Sequence, residues 1–391
     1  MLNVDFAERV KKLPPYIFAE MERIAQEKKL AGVDVISLSI GDPDLPPPQF
    51  ILEALEEEAP NPSNHGYSSS RGEPEFREAV AEWMKNRFKI EADPKTEVAA
   101  LIGSKEGIAN IARAFINRGD RVLVPNPAYP AYANGGAILN DGIPVSMPLL
   151  EENNFLPDFE AFANLNAKMM FLNYPNNPTG AVSDKHFLKE AVDFASDNNI
   201  ILCYDNAYSE ITYDGYRSPS IMEIDGAMSI AIEFHSFSKT FNMTGDRIAF
   251  AVGSSKLIDG LVRVKSQVDS GPPKYMQHVA MRGLNTYRRG EPPDEIKRAN
   301  ATYQHRARVL MNRLQAMGLE YTVPKATFYV WVKCGVDSME FARKLVDVGV
   351  VVTPGVGFGK YGEGYVRFAL TRPIEDIEEA CDRIAKIQDL T

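Results

Sequence analysis

From about residue 97 onward, short apolar runs alternate with longer stretches in which apolar positions recur every three or four residues. "TEVAALIG" (96–103), "DRVLVP" (120–125), "AKMMFLNYP" (167–175), "IILCYD" (200–205), "AMSIAIEFHS" (227–236) and "RIAFAVGS" (247–254) read as strands. "SKEGIANIARAFINR" (104–118) and "DKHFLKEAVDFASDNN" (184–199) read as helices. Near-continuous apolar strands separated by helices predict a mostly parallel sheet covered on both faces. The pattern breaks at "YRRGEPPDE" (287–295). Beyond it come a long helix over about 295–317, an alternating strand "ATFYVWVKC" (326–334), a helix, "VGVVVTPG" (348–355), "GYVRFAL" (364–370) and a last helix. That tail predicts a smaller α+β domain. The Pro-rich "GDPDLPPP" (41–48) reads as the crossing between the two bodies. The expected fold is therefore α/β, with a large domain over 48–287 and a smaller one built from 1–47 and 288–391. No internal repeat or low-complexity tract is evident.

Composition narrows the function classes. Of 391 residues, 45% are apolar and 25% charged, ordinary for globular chains and ample for a core. The formal charge of −10 argues against a nucleic-acid partner, which wants a basic face. No apolar run is long enough to predict a membrane span, and the first fifteen residues lack a signal core. Cys203, Cys334 and Cys381 are widely separated and odd in number, so neither a disulfide framework nor a zinc site is expected; a reducing cytoplasm is.

The chemistry lies at strand ends. "GFGKYG" (357–362) matches a dinucleotide fingerprint, but a strand-like segment follows it where a helix should open, so it is set aside. In open α/β sheets, ligands bind outside the carboxyl ends of the strands. Lys239 follows one apolar run, Asp205 closes "IILCYD", "NYPNNPTG" (173–180) closes another, and "IGSKEG" (102–107) ends a strand and opens a helix. A lysine, a carboxylate, an Asn-Pro turn and an anion cradle together fit pyridoxal phosphate. Its aldehyde takes a lysine amine, its ring nitrogen a carboxylate, and its phosphate a helix N-terminus, hydroxyls and an Arg. "SFSK" (236–239) and Arg247 supply hydroxyls and a guanidinium beside the lysine. Each residue alone has a plainer reading: Asp205 as a helix cap, Ser236 and Ser238 as turn residues, Tyr129 as core. Arg367, central in "GYVRFAL", is harder to place as ordinary, because a half-buried strand rarely carries an unpartnered Arg.

The motifs resemble, in order, those of the fold-type I pyridoxal-phosphate aminotransferases of class I/II. They run from "LPPYIFAEM" and "ISLSIGDPDLPPP" through "GYSSSRG", "GSKEGI", "NPAYPAY", "NYPNNPTGA", "YDNAYSEITYDG" and "SFSKTFNMTGDR" to "KATFYVWV" and "GEGYVRFALT". Within that group the chain is most similar to the LL-diaminopimelate branch. The resemblance implies that Lys239 binds the cofactor aldehyde and serves as general base, that Asp205 pairs with the ring nitrogen, and that Tyr208 and Asn177 hydrogen-bond the ring oxygen. It implies Tyr129 on the ring face, and Ser104, Lys105, Ser236, Ser238 and Arg247 around the phosphate. Tyr67 would reach a phosphate in the neighbouring subunit of a homodimer. Arg367 would clamp the substrate carboxylate, with Gly41, Asn177, Tyr16 and Lys105 also on the substrate side. No metal is implied.

The expected activity is transfer of an amino group from an amino acid, LL-diaminopimelate first, to 2-oxoglutarate. A dicarboxylic aminotransferase and a C–S β-lyase use the same cofactor set and stand as alternatives. Four departures from the family pattern bear on this. Asp246 stands where Trp is usual and Asn206 where Ala is usual. Arg71 stands where an acidic partner for a distal ammonium is common, and "PPK" (272–274) replaces apolar residues. If Arg71 and Lys274 faced the substrate they would favour a distal carboxylate. If Arg71 paired at the surface, with Glu73 or Glu75, diaminopimelate would remain acceptable.

Overall fold

The computed structural model describes residues 4–15, 17–388 and 390, without the side chain of Phe18. Its strands are β1 (Ile36–Ser37), β2 (Val98–Leu101), β3 (Arg121–Asn126), β4 (Ile143–Pro148), β5 (Ala167–Asn173), β6 (Ile201–Asp205), β7 (Ala231–Ser236) and β8 (Ala249–Gly253). The remainder are β9 (Tyr321–Thr322), β10 (Tyr329–Lys333), β11 (Val350–Val351), β12 (Thr353–Pro354) and β13 (Tyr365–Ala369). Strands β2 to β8 form one sheet in the order β2-β8-β7-β6-β5-β3-β4. Every neighbouring pair in it is parallel except the two that involve β8.

Side chains alternate across this sheet as the pleat requires. Met169, Phe171, Cys203, Ile232 and Phe234 pack on one face with Ile108 and Ile111 of the helix Ser104–Phe115. Met170, Leu172, Leu202, Tyr204 and Phe250 pack on the other with Phe76, Val80 and Trp83 of the helix Pro74–Phe88. Both faces are covered, which is why the strands read as unbroken apolar runs. Gly107 sets the approach of the first helix. A Cβ there would lie 2.7 Å from Leu101 and 2.8 Å from Phe234.

The smaller body has its own core, with Leu310, Leu314, Val330, Val332, Leu345, Val366, Phe368 and Ile377 buried together. Its antiparallel sheet has the order β12-β13-β10-β9. The N-terminal segment joins it through β1, which pairs in parallel with β11. Ala207, Tyr208, Ile211 and Tyr213, from the loop after β6, also pack into this second core. That loop therefore ties the end of a large-sheet strand to the smaller body.

The pattern reading left out the helices Gln49–Glu58, Pro74–Phe88, Ser255–Lys265 and Lys274–Leu284, and it misplaced the start of one strand and missed another. Residues 227–236 are a helical turn, Ala227–Ile230, followed by β7, and Gly226 enters that turn at φ +87°. The strand missed, β4, escaped notice because it is an edge strand with two prolines and only one buried side chain, a weak signal by nature. "GFGKYG" falls in short turns, Gly355–Phe358 and Lys360–Gly362, and β13 follows, so the helix a dinucleotide site needs is not there. Among the described residues no helix is long and apolar enough to cross a membrane.

Candidate active site

Because β8 alone runs against its neighbours, its N-terminal end shares an edge with the C-terminal ends of β2, β5, β6 and β7. Chain direction thus delivers five chemical groups to one crevice. Asn173 and Asp205 are the last residues of β5 and β6. The turn after β2 opens the helix at Ser104, and β7 runs into the helical turn Phe237–Thr240 that carries Lys239. Arg247 enters the same edge two residues before β8 begins.

Asp205 is buried, and its two oxygens differ. Oδ2 accepts a hydrogen bond from Tyr132 Oη at 2.7 Å, whereas Oδ1 is buried with no donor among the described residues. A buried acceptor without a donor costs about 1–3 kcal/mol, so the position calls for a ligand N–H. Burial raises the carboxyl to about 6, opposed by the Tyr132 bond, the Ala207 N–H and the charges of His235 and Lys239. Asn173 Nδ2 fixes the backbone by donating to the Asp205 carbonyl at 2.7 Å.

Lys239 Nζ donates to the Gly41 carbonyl at 2.8 Å. Burial pulls its pKa down to about 8; Asp42 and Asp205 oppose the shift, and Arg367 and Arg247 add to it. The amine is therefore far easier to deprotonate than a surface lysine. Gly41 has to be glycine: a Cβ would fall 1.8 Å from the Tyr329 hydroxyl.

The anion cradle is built from the helix N-terminus at Ser104 and the Arg247 guanidinium. Gly103 has φ +112°, and a Cβ there would sit 2.3 Å from Arg247 Nη2. Arg247 Nη1 donates to Thr244 O at 2.7 Å. A helix N-terminus with its dipole and a guanidinium together favour a phosphate. Ser236 and Ser238 are buried beside them, and Lys105 lies with Nζ 5.9 Å from the centre of the Tyr129 ring.

On the opposite wall Arg367 is only 1% exposed. It donates to Asn177 Oδ1 at 2.7 Å and to Ser39 O at 2.5 Å, and its guanidinium lies 4.1 Å from the Tyr329 ring centre and 4.8 Å from that of Phe358. The Tyr208 and Tyr329 hydroxyls are 3.1 Å apart. Tyr67 does not face this crevice but stands 90% exposed on the surface. Tyr16 lies outside the described residues.

Of the predicted set, Lys239, Asp205, Gly41, Asn177 and Arg367 are joined by short contacts or common partners, and Ser104 and Arg247 flank them at the same edge. Sequence reasoning missed Tyr132, Asn173, Ser39 and Tyr329. Tyr132 was visible in "NPAYPAY", three residues after Tyr129, and so one helical turn further on. Tyr329 sits within an alternating strand, where an aromatic reads as core.

The departures also find places. Arg71 makes neither of the contacts expected for it. Its Nη2 lies 3.7 Å from Asp259 Oδ1, and Nη1 donates to Thr96 O at 3.4 Å. Thr96 precedes β2, at the end of that strand opposite the crevice. Lys274 Nζ lies 3.8 Å from Glu73. Asn206 donates to the buried Glu233 at 2.7 Å and to Pro219 O at 3.1 Å, so it braces the residue after Asp205 from behind. Burial raises the Asp246 carboxyl, and no contact in the structure explains an aspartate there.

These groups fit pyridoxal phosphate. Asp205 Oδ1 suits the ring N–H, the Lys239 amine the aldehyde, and the Ser104–Arg247 cradle the phosphate. The family model for aminotransferase class I and II matches residues 33–384. An LL-diaminopimelate aminotransferase of Desulforudis audaxviator is 49% identical over 384 residues, covering 97% of this chain and 96% of its own. One from Aquifex aeolicus is 48% identical, with 98% and 99% covered. Among solved structures, substrate-bound BacF from Bacillus subtilis superimposes with a TM-score of 0.92 at 38% identity, covering 98% of both chains. The aspartate aminotransferase of Thermus thermophilus in complex with maleate gives 0.91 at 27% identity, covering 98% of this chain and all of its own.

Proposed function

The chain belongs to the class I and II aminotransferases, and on that basis we propose that it moves the amino group of LL-diaminopimelate to 2-oxoglutarate. The cofactor of this enzyme class is pyridoxal 5′-phosphate, which when bound draws electrons away from the substrate Cα. Lys239 would hold the cofactor through Nζ, and the same nitrogen, when free, would take and return the substrate Cα proton. A pKa near 8 suits this task, since the amine can both take and return a proton near neutrality. Asp205 Oδ1 would keep the ring nitrogen protonated, and Tyr132 orients that carboxylate by holding Oδ2. Arg367, buried and steered by Asn177 and Ser39, takes the substrate carboxylate. Tyr208 and Asn177 would hydrogen-bond the ring oxygen.

The observation that carries the substrate choice is where Arg71 goes. A guanidinium beside the distal ammonium of diaminopimelate would set two like charges together, at a cost of several kcal/mol if buried. Its contacts with Asp259 and Thr96 draw it to the far end of β2. This supports the activity carried by the name of the 49% identical relative over that of a dicarboxylic enzyme. The test is kcat/KM for LL-diaminopimelate and aspartate with 2-oxoglutarate, in wild type and Arg71→Glu. Good diaminopimelate turnover, altered less than about threefold by the substitution (under 1 kcal/mol), is expected. Absent diaminopimelate turnover beside good aspartate turnover overturns the choice.

We further propose a homodimer with shared sites, in which the exposed Tyr67 serves the neighbouring phosphate. Three buried free cysteines support a reducing, cytoplasmic setting.

A further inference from the structure

Lys265 ends the helix Ser255–Lys265, yet its side chain is completely buried. Lysines are almost never fully buried unless paired, and this one is paired twice. Nζ lies 3.0 Å from Glu106 Oε2 and 2.6 Å from Asp269 Oδ1.

Each carboxylate governs a different loop. Glu106 sits in the first turn of the helix opened by Ser104 and reaches back, accepting from Ile102 N at 3.2 Å and, through Oε1, from Asn110 Nδ2 at 2.6 Å. It thereby fixes the Ile102–Ser104 turn, in which Gly103 presses on Arg247. Asp269 Oδ1 also accepts from Gly271 N at 2.8 Å and shapes the turn that follows. A Cβ on Gly271 would lie 2.9 Å from Ser69 O. Gln277 clamps the same junction, donating to Pro272 O and Ser68 Oγ, both at 2.9 Å, and accepting from Glu73 N at 2.7 Å. The loop so held carries Tyr67 outward. The same helix also grips this loop through Asp259 and Arg71.

We propose that Lys265 is a positioning residue that couples the phosphate cradle of one subunit to the Tyr67 loop serving the other. The inference rests on the cofactor site and shared dimer proposed above. One ammonium is shared by two carboxylates, so removing it, with or without their charges, breaks the bridge between the two turns and frees both loops together.

The test compares holoenzyme dimers of wild type, Lys265→Met, Tyr67→Phe and the double variant. Cofactor release is followed after dilution into inorganic phosphate by separating protein from small molecules at intervals and reading the yellow absorbance that stays with the protein. Because Lys265→Met strands two buried carboxylates, Lys265→Met/Glu106→Gln/Asp269→Asn is made as well, to keep a folded protein without the charge triad. Lys265→Met, or the neutral triple variant if the single one does not fold, should release cofactor at least tenfold faster. Its effect should be clearly less than multiplicative with Tyr67→Phe, a coupling that a brace acting only on stability would not give. Release at the wild-type rate, or an effect that simply multiplies with that of Tyr67→Phe, overturns the inference. If wild type itself takes no cofactor on Lys239, the site reading fails and the inference with it. Wild type loaded normally beside unaltered release in the variants rejects the inference alone.

Discussion

At the scale of single residues, two buried groups decide the chemistry, and the fold has moved the ionisation of both toward neutrality. Lys239 lies near 8 and Asp205 near 6, both shifted chiefly by burial. In the cofactor-free protein only the neutral Lys239 amine attacks an aldehyde. Its rate of capturing pyridoxal phosphate should therefore climb as pH rises to about 8, roughly tenfold per unit below that, and then level. Stopped-flow absorbance checks this; a rate flat from pH 6 to 8 contradicts it. The linkage has a definite sign. Between about 8 and the ordinary lysine range the unfolded chain holds the extra proton, so this group makes the protein more stable as pH rises through that window. Asp205→Ala should lower kcat on the order of a hundredfold, about 3 kcal/mol of barrier. Tyr132→Phe strips Oδ2 of its donor and should cost about 1–2 kcal/mol in cofactor affinity, read by equilibrium titration. A change below threefold for Asp205→Ala would place that carboxylate outside the chemistry.

At the scale of elements, the site exists because four strand ends and one reversed strand meet at an edge. Much of this was legible. Lys239, Asp205 and "NYPNNPTG" each follow an apolar run, and a polar residue closing such a run marks the edge where ligands bind. Arg367 announced itself as a charge in an alternating strand. The partners that orient these groups were not legible, because a backbone carbonyl such as Ser39 O or Gly41 O leaves no residue-type signature. Tyr329 looks like core from sequence and is core, with one polar end, whereas Tyr132 was readable from its place after Tyr129. Arg71 misled for a related reason: its partner, Asp259, lies 188 positions away (259 − 71). Gly103 offers a test at this scale. Gly103→Ala would strain a residue at φ +112° by about 1–3 kcal/mol and push Arg247 from the cradle. Weaker cofactor binding, with the far-ultraviolet circular dichroism unaltered, is expected. Unaltered binding would show that the cradle does not depend on this contact.

At the scale of the whole molecule, one exposed aromatic makes a demand on assembly. Tyr67 can serve a phosphate only if a second copy lies across the crevice, and interfaces of obligate dimers commonly bury about 2,000 Å² or more. Mixing subunits decides the arrangement. A hybrid of one Lys239→Ala subunit and one Tyr67→Phe subunit should contain one intact site, formed by the Lys239 of the second and the Tyr67 of the first. Activity well above that of either parent homodimer is expected; none would place Tyr67 in its own crevice. Whether this crevice transaminates LL-diaminopimelate on a cofactor held by Lys239 is decided by a half-reaction. Holoenzyme mixed with LL-diaminopimelate alone should lose its yellow absorbance. Addition of 2-oxoglutarate should then restore it, with one glutamate formed per site, while Lys239→Ala should bleach at least a hundredfold more slowly. No bleaching by LL-diaminopimelate, or bleaching by Lys239→Ala at the wild-type rate, would contradict the account.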